Sequence, residues 1–143
     1  MICNIIYNFA TEKYQCLHQM KDINATNIHN LERMISDSCR ICITTHMKPD
    51  GDAIGSCTAL YHYLKMCGKK SVKIIMNDRH PGYLSFITTD GLVEDLIIHT
   101  EMPSEAETCI NDCDLLFCLD YNAFHRTDRL EGALTSSKAD RIL

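Results

Sequence analysis

The sequence predicts an α/β fold in which a parallel, doubly wound sheet is flanked by helices. Short apolar runs rich in β-branched residues alternate with stretches whose apolar residues recur at helical spacing. Strands separated by helices pair in parallel through right-handed crossovers. The run Leu115-Leu116-Phe117-Cys118-Leu119, between Asp114 and Asp120, is apolar throughout, as a strand buried on both faces requires. Together these observations predict a Rossmann-like sheet.

Length and composition favour one soluble globular domain. The chain has 143 residues, of which 45% are apolar and 23% charged. A net charge of -5 argues against binding long duplex nucleic acid through its phosphates. No apolar run approaches the roughly 18 residues of a membrane span, and the N-terminus lacks the pattern of a secretory signal. We therefore predict a cytoplasmic protein with reduced thiols and no membrane contact.

The first elements follow a segment without clean periodicity. We predict that residues 1–26 are an N-terminal extension. Helical spacing of apolar residues from Asn27 to Ser38 predicts a helix, and residues 40–45 form the first predicted strand. A continuous apolar stripe from Ala53 then predicts a helix of about four turns, which Gly68 ends.

The rest of the chain repeats this alternation. The further predicted strands are residues 72–76, 96–98, 114–120 and the beginning of a fifth at 141–143. The further predicted helices are residues 83–87, a helix that opens at Pro103, and residues 128–136. Ser104 and Glu107 have the spacing of a capping box. Asn77 and Asp78 follow the second strand and are predicted to form an ordinary turn.

Two cysteine pairs have spacings that also occur in metal sites. Cys39 and Cys42 have the spacing of a zinc knuckle, and Cys109 and Cys113 lie one helical turn apart. The first pair has no matching second pair, and free cysteine packs as a small hydrophobic residue. We therefore predict that both pairs are core residues rather than zinc ligands.

The stretch from Thr45 to Ser56 concentrates polar chemistry where the first strand gives way to a helix. His46, Asp50 and Asp52 lie within seven positions, and Gly51 lets the backbone turn between the carboxylates. Open α/β sheets bind their ligands at this end of their strands. An imidazole and two carboxylates without a thiolate favour manganese or magnesium over zinc. A helix cap in a solvated turn is the simpler alternative.

Further candidates lie on the same predicted edge of the sheet. Asp120 ends a buried strand, and its carboxylate would meet His46 if the two strands are neighbours. There it would bridge two cations, or it would only cap the next turn. Arg126 offers a planar guanidinium for a phosphate, with a surface loop arginine as the alternative. His80 follows the second strand and is a candidate for substrate contact.

These residues resemble the first two motifs of the DHH phosphoesterase superfamily. The first motif is His46-x-x-x-Asp50-Gly51-Asp52-Ala53-Ile54-Gly55-Ser56, and Asp120 carries the second. Within the superfamily, the chain is most similar to the bacterial oligoribonuclease and 3'-phosphoadenosine-5'-phosphate (pAp) phosphatase branch, the nanoRNase type. The residues that carry this finer resemblance are Pro49-Asp50-Gly51-Asp52, Tyr61-x-x-Leu64 and the segment from Asp120 to Arg126. The resemblance covers residues 27–143.

The resemblance implies a two-metal phosphoesterase that hydrolyses short oligoribonucleotides, pAp or both. It implies two Mn2+ ions, with Mg2+ as the alternative, and names His46, Asp50, Asp52 and Asp120 as ligands. The three aspartates would be the catalytic carboxylates. Other activities of the superfamily stay open, namely those of a pyrophosphatase, an exopolyphosphatase or a cyclic-dinucleotide phosphodiesterase, and so does a homodimer.

The resemblance also implies parts that lie beyond this sequence. The Asp-His-His motif is expected after the strand that begins at Arg141, and the sequence stops at Leu143. A later aspartate motif and a C-terminal substrate domain are expected further on. We therefore expect residues 27–143 to be a truncated DHH domain with weak or no activity alone. An inactive fragment or a non-catalytic module that binds a metal or nucleotide is the alternative.

Overall fold

The computed structural model describes residues 25–88 and 92–143. The chain divides into two compact units, Met1–Ser36 and Asp37–Leu143. All but the last two residues of the predicted extension lie outside the described residues. Helix α1 (Ala25–Asp37) forms where a helix is predicted and begins two residues earlier.

The second unit contains a five-stranded parallel sheet, which confirms the predicted fold class. Its strands are β1 (Arg40–Thr44), β2 (Ser71–Met76), β3 (Leu96–Ile98), β4 (Leu115–Cys118) and β5 (Asp140–Ile142). Their order in the sheet is β3-β2-β1-β4-β5. The chain therefore winds outward from β1 in both directions, and the carboxyl ends of β1 and β4 open onto one crevice.

Helices and 3₁₀ segments connect the strands. The helices are α2 (Gly51–Met66), α3 (Pro103–Asp112) and α4 (Glu131–Ser136). The 3₁₀ segments are Gly82–Thr88, Val93–Asp95 and Phe124–Leu130. Among the described helices, none combines the length and apolarity that crossing a membrane requires.

Two predictions about helix starts are wrong. The N-cap of α3 is Met102 and makes no side-chain capping bond. Pro103 occupies the first helical position, so Ser104 lies inside the helix and the predicted capping box does not form. The helix predicted from residue 128 begins only at Glu131, because Asp128 has φ 53° and ψ -114°, outside the helical region.

The core packs around the central strand β1. Ile43 is fully buried, with Ile74 of β2 and Phe117 of β4 in register beside it. On the opposite face of β1, Cys42 belongs to a buried cluster with residues of α3 and α4. Cys113 is buried in that cluster and Cys109 packs against it, which confirms their core role. Cys39 is exposed because it precedes the sheet, so the core prediction was wrong for this residue.

Asp95 directly precedes β3 and bonds to side chains of α2 and β2. Its carboxylate lies 2.8 Å from Lys65 Nζ and 2.9 Å from Lys73 Nζ, and it accepts a 2.6 Å hydrogen bond from the Tyr61 hydroxyl. Partial burial alone would raise the pKa of Asp95. The three bonds outweigh that effect and lower the pKa to about 2.

We expect Asp95→Asn to lower the free energy of unfolding by about 1–2 kcal/mol at neutral pH, because it removes a charged acceptor with three donors. The folded-state pKa lies below the usual 3.8, so this stabilisation is present above that value and is lost as the pH falls toward about 2. Urea unfolding across this range should show wild type and variant converging at acid pH. Glu94→Gln, at the exposed neighbouring carboxylate, is the control, and a constant gap between the Asp95→Asn and wild-type curves would contradict the expectation.

Candidate metal centre

Asp50 caps the helix that follows β1. Its Oδ1 accepts hydrogen bonds from the backbone N–H groups of Asp52 (3.0 Å) and Ala53 (3.1 Å). The N–H of Ala53 lowers the pKa of Asp50 most, and the N–H of Asp52 and the positive charge of Arg126 lower it further. The carboxylate is therefore oriented and kept anionic by the start of α2.

His46, Asp50 and Asp120 converge at the carboxyl ends of β1 and β4. Each offers one nitrogen or oxygen atom, and the three atoms lie within 4.8 Å of one another. His46 Nε2 lies 3.3 Å from Asp120 Oδ2, while its Nδ1 lies 2.8 Å from the carbonyl oxygen of Met47. A carbonyl only accepts, so Nδ1 carries the proton and Nε2 faces the carboxylates. A neutral imidazole in this tautomer is a metal ligand.

The backbone at Asp120 also supports a functional site. Asp120 has φ 61°, in the left-handed region that aspartate and asparagine tolerate better than most residues. Just before it, the N–H of Leu119 donates to the carbonyl of Thr44 at 2.9 Å, which extends the contact between β1 and β4. Strained backbone next to a cluster of ionisable groups is typical of active sites.

Two buried hydroxyl groups, those of Thr44 and Tyr121, are hydrogen-bonded to each other near the candidate metal centre. Thr44 Oγ1 is 2.6 Å from the Tyr121 hydroxyl and also donates to the carbonyl of Phe117 at 3.2 Å. Burial raises the pKa of Tyr121, so its hydroxyl stays neutral. The pair connects the end of β1 to the loop after β4. Nothing local in the sequence marks it, because the two residues are 77 positions apart.

The structure brings together three of the four predicted ligands. Asp52 is not one of the three clustered groups; it lies exposed in the first turn of α2, and its carbonyl accepts a 2.7 Å hydrogen bond from Ser56 Oγ. Its role as a ligand stays a prediction. The donor set that does converge, one imidazole nitrogen and two carboxylates, fits manganese or magnesium.

The two predicted substrate contacts differ in their surroundings. Arg126 is exposed, and its carbonyl oxygen accepts a 2.7 Å hydrogen bond from the N–H of Met47. Its positive charge helps to lower the pKa of Asp50. His80 is buried, with Nδ1 3.0 Å from the Pro81 carbonyl and Nε2 3.0 Å from Thr88 Oγ1. Both ring nitrogens of His80 are thus bonded inside its own loop, as in a structural residue. Substrate contact by either residue stays a prediction.

Comparison with known proteins places this site in a family. Residues 40–142 match the family model described as the DHH family, N-terminal domain. No curated protein matches the chain significantly. A crystal structure of an exopolyphosphatase-related protein from Bacteroides fragilis is similar, with a TM-score of 0.77 and 29% sequence identity. The match covers 85% of this chain and 35% of that chain, so the chain spans about a third of that protein.

Proposed function

The chain belongs to the DHH family, whose N-terminal domain matches residues 40–142, and from this premise we propose that it is the metal-binding part of a manganese-dependent phosphoesterase. The proposed substrates are short oligoribonucleotides, pAp or both. The observation that carries the proposal is the convergence of His46, Asp50 and Asp120 where the sheet changes winding direction.

His46, Asp50 and Asp120 would hold a divalent cation, with Asp52 as a further proposed ligand. Manganese is proposed because it accepts imidazole together with carboxylates, and magnesium is the alternative. A cation bound here supplies a water of lowered pKa and offsets the negative charge of the attacked phosphate. For the complete enzyme we propose two ions with Asp120 as the bridging carboxylate.

The residues around the cluster prepare it for this role. The bond from Nδ1–H of His46 to the Met47 carbonyl fixes the orientation of the ring and leaves Nε2 directed at the carboxylates. The N–H groups at the start of α2 hold the Asp50 carboxylate in one orientation. Arg126 would bind a substrate phosphate through two parallel N–H donors.

Titration of the purified chain with Mn2+ in a calorimeter tests the metal centre. We expect saturable binding that is lost when Asp50 or Asp120 is replaced. Wild-type chain that takes up neither Mn2+ nor Mg2+ would overturn the proposal. Binding by the chain together with no hydrolysis of any phosphate substrate by the complete enzyme would favour the non-catalytic module instead.

Hydrolysis of inorganic polyphosphate is a second candidate function. It is favoured by the similarity to the exopolyphosphatase-related protein of Bacteroides fragilis. Polyphosphate has neither base nor ribose, so a substrate panel separates the two candidates. Product release by the complete enzyme from a dinucleotide, from pAp and from polyphosphate should be compared in the presence of Mn2+. Preference for the nucleotides supports the first proposal, and preference for polyphosphate supports the second.

We expect Arg126→Ala to weaken binding of pAp roughly 10- to 100-fold, because a hydrogen-bonded charge pair with a phosphate is lost. Arg126→Lys should recover only part of the affinity, since an ammonium lacks the planar fork. The measurement is the dissociation constant for pAp with Mn2+ present. Arg129→Ala, an exposed arginine in the same 3₁₀ segment, is the matched control. Equal losses in Arg126→Ala and Arg129→Ala would show that only general surface charge matters.

A further inference from the structure

Asn77 and Asp78 directly follow β2, at the same edge of the sheet as the candidate metal centre. A turn-forming dipeptide needs no partner outside its own loop. Both side chains nevertheless bond to segments at least 30 residues away in the sequence. These long-range bonds require an explanation beyond turn formation.

Asp78 holds the loop that carries His46 and Asp50. Its Oδ2 accepts a 3.0 Å hydrogen bond from the backbone N–H of Lys48. Lys48 has φ 51°, an unfavourable conformation for a residue with a Cβ, and it lies midway between His46 and Asp50. Such a conformation persists only where surrounding contacts maintain it. The bond from Asp78 is one of those contacts.

Asn77 holds the segment that carries Arg126. Asn77 is 1% exposed, and its Oδ1 accepts a 3.2 Å hydrogen bond from the backbone N–H of Arg129. Its Nδ2 lies 3.5 Å from Asp128 Oδ2, and Asp128 is the left-handed residue at which the Phe124–Leu130 segment changes direction. The loop after β4, which contains the unfavourable backbone at Asp128, is therefore hydrogen-bonded to Asn77, the neighbour of Asp78.

The two loops are also bonded to each other. The N–H of Met47 donates to the carbonyl of Arg126 at 2.7 Å. The loop after β1, the loop after β4 and the dipeptide after β2 thus form one closed set of hydrogen bonds. Neither Asn77 nor Asp78 belongs to the three groups that converge at the metal centre, so both act through the backbone of other residues.

We propose that Asn77 and Asp78 are positioning residues of the metal centre. Asp78 keeps His46 and Asp50 at their mutual distance, and Asn77 keeps the Arg126 segment against the same loop. This inference rests on the proposed function, because it assumes that His46, Asp50 and Asp120 bind a cation. Loss of a residue that orients metal ligands typically weakens metal affinity by about 10- to 100-fold.

The test compares four variants of the chain by three measurements. The variants are Asp78→Ala, Asp78→Asn, Asn77→Ala and the control Arg79→Ala. Arg79 lies in the same turn but its side chain pairs with Glu101, at 2.6 and 2.8 Å, and touches neither loop through these bonds. The measurements are the dissociation constant for Mn2+, the dissociation constant for pAp with Mn2+ present and, without metal, deuterium uptake in residues 45–50 and 124–130. Uptake in β4 reports whether each variant is folded.

We expect Asp78→Ala to increase deuterium uptake in residues 45–50 and to weaken Mn2+ binding about 10- to 100-fold. Asp78→Asn should recover most of both, since an amide oxygen still accepts from Lys48. Asn77→Ala should increase uptake in residues 124–130 and weaken pAp binding as Arg126→Ala does. The control Arg79→Ala should behave like wild type.

Three outcomes overturn the proposal in different ways. If wild type binds Mn2+ and the alanine variants match it in affinity and uptake, the positioning role is wrong and the proposed function stands. If Arg79→Ala causes the same losses, the turn acts only through general stability. If wild type binds neither Mn2+ nor Mg2+, the proposed function fails and the positioning role fails with it.

Discussion

Asp50→Asn is expected to abolish measurable Mn2+ binding while leaving the metal-free chain almost as stable as wild type. The asparagine Oδ1 still accepts from the N–H groups of Asp52 and Ala53, and asparagine is as good an N-cap as aspartate. What is lost is the negative charge, which binds a hard cation much more strongly than a neutral amide oxygen does. The loss of affinity should exceed the roughly 100-fold upper range for residues that only orient ligands.

The companion variant Asp50→Ala separates the two roles of this residue. Alanine removes the cap as well as the ligand, so the free energy of unfolding without metal should fall by about 0.5–2 kcal/mol. Urea unfolding of the metal-free proteins and calorimetric titration with Mn2+ provide both numbers. An Asp50→Asn chain that binds Mn2+ as tightly as wild type would refute the assignment of Asp50 as a ligand.

Asp52→Asn extends the experiment to the ligand that the structure does not bring into the cluster. The spacing of Asp50 and Asp52 cannot decide whether both carboxylates reach one cation. Side chains two positions apart share a face in a strand, but at the start of a helix they point in different directions. Asp50 is the N-cap and α2 begins at Gly51. The helical geometry therefore applies, and the carboxylates of Asp50 and Asp52 point in different directions.

The sequence was sufficient for the fold because its patterns are local. Helical spacing and apolar runs depend on neighbours in the chain, and all five strands form where they are predicted, within one or two residues at each end. The meeting of His46 with Asp120 required one further condition, that β1 and β4 be neighbours. The observed pairing of these two strands meets it.

The sequence was not sufficient for the loops around the site. The hydrogen bonds of Asn77 and Asp78 to the other loops depend on the backbone angles of Lys48 and Asp128. No pattern in the sequence predicts these angles. Turn chemistry correctly explains why asparagine and aspartate follow β2, but it gives no distant partner. The same is true of the Thr44 and Tyr121 hydroxyls, which meet only after the sheet has formed.

Ile43→Ala is expected to cause the largest loss of stability of any variant considered, about 2–5 kcal/mol of the free energy of unfolding. Ile43 is fully buried at the centre of β1, between Ile74 of β2 and Phe117 of β4. Truncation leaves a cavity that the flanking strands cannot close, because both are fixed by their own pairing. Ile43→Val should cost only about 0.5–1.5 kcal/mol. Met66→Ala, on a side chain that is 67% exposed, should stay within about 0.5 kcal/mol of wild type.

The same variant shows whether metal binding and folding are coupled at the proposed centre. A cation that binds only the folded chain adds about 2.7 kcal/mol at a concentration 100 times its dissociation constant, and this gain does not depend on the core. Mn2+ should therefore raise the urea midpoint of Ile43→Ala about as much as that of wild type. It should not raise the midpoint of an Ile43→Ala, Asp50→Asn double variant. If the double variant is stabilised equally, Mn2+ binds elsewhere on the chain, and His46, Asp50 and Asp120 are not its ligands.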